Sequence, residues 1–111
     1  MAAQNNMLNK TEHVFIWNFG GEDVRICGEF NQWQGEKMEV YIPGQRVKTQ
    51  FLDDRQLAIK LGQQQPTHYF VTFLDPRRYE YKFKVDAKWR CAHDQQITRD
   101  QGGNENNVVD L

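Results

Sequence analysis

Along most of the chain, apolar and polar residues alternate in short runs, which is the pattern of strands buried on one face. His13 to Asn18 forms the first run and ends at Gly20-Gly21; Val24 and Ile26 then alternate against Asp23, Arg25 and Cys27, so the two segments read as a hairpin. Met38, Val40 and Ile42 alternate before Pro43-Gly44, Val47, Thr49 and Phe51 before Asp53-Asp54, and Leu57, Ile59 and Leu61 before the Gly62 to Pro66 loop. These runs predict a meander of short strands. An amphipathic helix over 46–61 is the competing reading, since Val47, Phe51 and Leu52 also suit a helical spacing. His68 to Leu74 and Tyr79 to Val85 are the clearest strands, joined by an Asp75-Pro76-Arg77-Arg78 turn. Beyond Trp89 the chain loosens into a Gln-, Gly- and Asn-rich loop and closes with a last strand, Val108 to Leu111. Many short strands at regular spacing predict an all-β sandwich.

Residues 1–12 are polar and Asn-rich with no periodicity, and read as a flexible arm ahead of one sandwich domain over 13–111. At 111 residues the chain has room for one domain. Three Trp among 13% aromatic residues must fill a core or form a binding face. Trp17, between Ile16 and Asn18 in mid-strand, reads as core. A net charge of -1 with both signs interspersed gives no footprint for nucleic acid or an anionic membrane. No segment has the apolar run of a signal peptide or a membrane span, so the expectation is a soluble, cytoplasmic protein with Cys27 and Cys91 as buried, reduced thiols.

Three ordered blocks carry a family resemblance. The first is Phe15-Ile16-Trp17, Gly20-Gly21 and Val24 to Trp33 with its Gly28-Glu29-Phe30-Asn31-Gln32-Trp33 turn; the second is Tyr79 to Asp86 with Trp89; the third is Asn106-Asn107-Val108-Val109. Together they resemble family 48 carbohydrate-binding modules, as in the glycogen-binding domain of AMP-activated protein kinase beta subunits. The resemblance spans about 13–111 and implies an immunoglobulin-like β-sandwich that binds an α-glucan such as glycogen. Relative to that family the chain carries extra residues at about 43–66, an inserted hairpin or lobe. It also has Ala87-Lys88 where the family favours Gly, and Gly102 and Asn104 where an apolar residue and a hydroxyl are common.

A glucose ring presents a flat face of C–H groups and a belt of hydroxyls, so its binder needs aromatic planes with donors and acceptors at their edge. By resemblance Trp33 and Trp89 are the two planes, Lys82 supplies ammonium donors, and Asn106 supplies an amide donor and acceptor. Each has a plainer reading: a core tryptophan, a solvated strand lysine, an asparagine that satisfies turn backbone. The polar settings of Trp33, after Asn31-Gln32, and of Trp89, between Lys88 and Arg90, favour exposed rings.

No catalytic chemistry is legible. The neighbouring carboxylates Asp53-Asp54 point apart on an extended chain, whereas glycoside hydrolysis needs two that face each other across a bond. Cys91 and His93 are too few for a zinc site, so no metal, cofactor or enzyme activity is expected. Two functions remain: a glucan-binding adaptor, or an assembly subunit of a larger protein complex that docks through the sandwich and its insertion without sugar. Exposure of both Trp33 and Trp89 would favour the first.

Overall fold

The computed structural model describes residues 9–41 and 67–111. The inserted segment expected at 43–66, and with it the choice between strands and a helix over 46–61, lies outside the described residues.

Among the described residues nine strands follow one another: β1 (Thr11–Trp17), β2 (Val24–Gly28), β3 (Glu36–Lys37), β4 (Glu39–Tyr41), β5 (Thr67–Leu74), β6 (Arg78–Val85), β7 (Lys88–Arg90), β8 (Ile97–Arg99) and β9 (Glu105–Asp110), with a 3-10 turn at Glu29–Asn31. They form two antiparallel sheets. One has the order β1-β5-β4; the other runs β3-β2-β6-β9-β8, with β7 also paired to β6.

The alternation in β6 explains the layering: Tyr79, Tyr81, Phe83 and Val85 are buried while Glu80, Lys82 and Lys84 turn outward. The inward set meets Phe15 and Trp17 of β1, Leu74 of β5, and Val24 and Ile26 of β2. Phe15 packs edge-on to Tyr81 at 4.9 Å between ring centres, and Trp17 lies 5.0 Å from Phe83, so aromatic pairs bridge the two sheets. Burial of a side chain of this size contributes about 1.5–3 kcal/mol, and a row of them holds the layers together. Trp17 is core, as its position predicts, and its indole N–H is satisfied by the Gly20 carbonyl at 2.7 Å.

Four expectations are corrected. β1 and β2 do not form a hairpin: β1 pairs β5 in one sheet and β2 pairs β6 in the other. Gly20 and Gly21, at φ 78° and 107°, let the chain cross between layers in a geometry that L side chains resist. The Met38 run also splits. Met38 stays in the core, tied by its N–H to the Val24 carbonyl at 2.8 Å, while β3 and β4 join opposite sheets and Val40 is exposed. Finally, the loop after Trp89 contains a further strand, β8, and β9 begins at Glu105, three residues before the strand expected from Val108. At the other end β1 starts at Thr11, inside the segment read as an arm, because Thr11 and Glu12 continue the pairing with Leu74 and Phe73.

Candidate functional site

The outer face of the larger sheet carries Lys82, Trp89 and Asn106. Paired residues of antiparallel strands share a face, and the register sets Cys27 beside Lys82, Arg25 beside Lys84, and Lys84 beside Trp89.

Trp33 is presented by a strained turn that follows β2. Asn31, itself buried, accepts a hydrogen bond from the Gly28 N–H at 2.9 Å and donates to the Ile26 carbonyl at 3.2 Å, closing the chain on itself after β2. The Glu29 carboxylate accepts the Glu80 N–H at 2.8 Å and ties the turn to β6. Gly28 is needed at the base, where an added Cβ would sit 2.9 Å from both the Glu80 carbonyl oxygen and Tyr81 Cβ. Gln32 and Trp33 then adopt φ of 55° and 61°, and the Trp33 N–H is held by the Gly28 carbonyl at 2.8 Å. A left-handed backbone at a bulky residue costs on the order of 1–3 kcal/mol, and such strain gathers at functional sites. The outcome is a tryptophan 38% exposed, followed by Gly35 lying against Arg25 and Cys27. Cys27 is thereby buried although it turns to the outer face.

Trp89 is presented by the next hairpin. Asp86 and Ala87, at φ 49° and 70°, form the two-residue turn between β6 and β7, a mirror-image geometry that normally favours glycine. The Asp86 carboxylate accepts the N–H groups of Glu22 at 3.1 Å and Asp23 at 2.9 Å and clamps the hairpin to the β1–β2 connection. Trp89 is 49% exposed. The Lys84 ammonium lies 5.5 Å from its ring centre, a cation–π contact that steadies the ring and occupies one of its faces.

Lys82 and Trp89 line one cleft of about 790 Å³, together with Asp86, Cys91, Asn104 and Glu105 among others. The turn carrying Asn104 is organised by Asp100, whose carboxylate accepts the N–H groups of Gly102 at 2.9 Å and Asn104 at 3.0 Å. The Asn104 N–H and side-chain amide first, with the Gly102 and Gly103 N–H groups, hold its pKa below the ordinary carboxylate value. Burial pushes the Cys27 and Cys91 thiols up, against the lowering pull of Lys84 and Arg25 on the first and Lys82 on the second, so both stay protonated at neutral pH.

Of the four residues carried over from the resemblance, the structure sets Lys82 and Trp89 in one cleft; Trp33 and Asn106 lie outside its lining. Asn106 precedes the inward-facing Asn107 and turns to the outer face, where its amide donates to Glu80 at 3.1 Å. Its carbonyl oxygen is thus the atom best placed for a ligand donor. Sequence reasoning assigned no part to Asn107, which is fully buried. Asn107 accepts the Ala92 N–H at 2.8 Å and donates to the carbonyls of Ala92 at 2.8 Å and Gln96 at 3.2 Å, fixing the segment between β7 and β8. Nothing in an Asn-rich stretch distinguishes such a residue from its solvated neighbours. Phe19, also on the cleft, lacked a signal because its neighbours are turn residues.

The family model described as the glycogen recognition site of AMP-activated protein kinase matches residues 35–111. That span includes Lys82, Trp89 and Asn106 and begins just after Trp33. The beta-1 subunit of 5'-AMP-activated protein kinase from Rattus norvegicus is 27% identical over 100 residues, covering 88% of this chain and 28% of the relative. The Sus scrofa beta-1 subunit is 26% identical over 100 residues, with 62% of its sequence covered. The regulatory subunit beta-2 of SNF1-related protein kinase from Arabidopsis thaliana is 24% identical over 98 residues, with 26% covered. The chain therefore spans only part of the length of these relatives.

Proposed function

Because the chain belongs to the family of the glycogen recognition site of AMP-activated protein kinase, we propose that it is a non-catalytic α-glucan-binding adaptor, with Trp33, Lys82, Trp89 and Asn106 as its sugar contacts. The observation that carries this reading is the exposure of two tryptophans, 38% at Trp33 in the turn after β2 and 49% at Trp89 on β7. Strained turns gather at functional sites, and aromatic rings that they hold in solvent are suited to stacking on a ligand. Trp89 offers its face away from Lys84 to the C–H side of a glucose ring, and Lys82 and Asn106 reach hydroxyls at its edge.

Such an open shelf suits an affinity between about millimolar and micromolar, on the order of 4–8 kcal/mol, because water competes for each hydroxyl. Its role is retention on a polymer. The relatives are named as subunits of protein kinases, so the protein recruited to the glucan is a kinase assembly in this proposal. The exposure of both rings supports the sugar reading over a docking subunit without sugar.

Trp33→Ala and Trp89→Ala test the assignment. Each should weaken retention on glycogen at least tenfold, about 1.4 kcal/mol, with a melting curve close to that of the parent. Full retention in both variants would remove the sugar reading; loss of folding would show that the rings serve the core.

A further inference from the structure

Phe19 is 50% exposed, although the β1–β2 connection that carries it is firmly held. Trp17 donates to the Gly20 carbonyl at 2.7 Å on one side of it. On the other, Asn18 donates to Asp94 at 3.1 Å and accepts from Thr67 at 2.9 Å. The Phe19 ring stands edge-on to Trp17, at 5.1 Å and 69°, which sets its orientation while half its surface stays in water. A single exposed apolar side chain is ordinary on a protein surface, but this one lines the cleft that also holds Trp89 and Lys82.

The register shows how that cleft is shared. β7 pairs only with β6 among the described residues, and it turns Trp89 to the outer face while Lys88 and Arg90 lie opposite the core-facing Val85 and Phe83. All three β7 residues line the cleft, so it wraps around the edge of β7 from the Trp89 side to the Phe19 side. Along it lie an aromatic plane, a series of charged and amide groups, and a second aromatic plane. That alternation matches a ligand whose successive units each carry an apolar face and a hydroxyl rim.

We propose that Phe19 is a further sugar platform, which takes a ring of the same α-glucan chain after it passes Trp89 and rounds β7. The inference rests on the glucan reading above and adds chain-length selectivity to it: short oligosaccharides fill the Trp89 end alone, longer ones also reach Phe19.

The test is a titration of the full chain with maltotriose and with maltoheptaose, for the parent, Phe19→Ala, Phe19→Leu and Phe19→Tyr. The parent should bind maltoheptaose about three- to tenfold more tightly than maltotriose, the gain of one more stacked ring. Phe19→Ala and Phe19→Leu should lose that gain and keep the maltotriose affinity, and Phe19→Tyr should retain it. Leucine keeps apolar bulk against Trp17, so its loss of the gain separates a flat platform from a packing role. Equal affinity of parent and Phe19→Leu for maltoheptaose would overturn the Phe19 assignment while the glucan reading stands. Failure of the parent to bind either sugar would overturn both.

Discussion

Ala87 and His68 both strain against their positions, and each makes a measurable prediction. Ala87 occupies φ 70° in the hairpin turn that presents Trp89. A left-handed conformation costs an L residue roughly 1–2 kcal/mol, and glycine relieves it at the expense of a more flexible unfolded chain. Ala87→Gly should therefore stabilise the fold by about 0.5–1 kcal/mol, raising the thermal midpoint by several degrees with sugar affinity unchanged. His68 is the other. Its ring nitrogens are buried with no hydrogen-bond partner among the described residues, and the residue is 2% exposed. Burial lowers its proton affinity, with a smaller opposing pull from Asp86. A depressed folded-state value means the unfolded chain takes up the proton first, so stability is intact above the ordinary 6.5 and is lost as pH falls below it. Urea midpoints at pH 7 and pH 5 should show that loss in the parent. His68→Leu should flatten it and add about 1 kcal/mol at the lower pH, since it removes two unsatisfied polar atoms.

At the scale of elements, the site depends on short connections more than on strands. Asn107 makes three hydrogen bonds to the backbone around Ala92 and Gln96. Asn107→Ala leaves those buried groups unpaired and should cost about 2–4 kcal/mol in urea unfolding, with faster amide exchange between β7 and β8. The same contrast explains what the sequence discloses. The β5 and β6 strands, the core position of Trp17 and the polar settings of Trp33 and Trp89 follow from a period of two and from neighbouring residue types. The crossing between sheets at Gly20-Gly21, and again at Met38, does not, because alternation is the same whichever sheet a strand joins. β8 is hidden for a related reason: three residues are too few to show a period. Asn107 and Phe19 escape notice because their meaning comes from partners far along the chain.

For the whole molecule, the two layers make a rigid support, braced by the aromatic pairs between β1 and β6. The proposed sugar face lies on the outside of one layer, so it can hold a polymer without any change in the core. Trp33 arrives from the end of β2, Trp89 from the β6–β7 hairpin, and Lys82 from the middle of β6. Binding is thus a property of the assembled sheet and should disappear with unfolding.

The most direct test of this account is a maltoheptaose titration of the full chain followed by amide NMR shifts and Trp fluorescence. The account predicts saturable changes at Trp33, Lys82, Trp89 and Asn106 at sugar concentrations between about micromolar and millimolar. Unmoved signals at those four residues in millimolar maltoheptaose would contradict it.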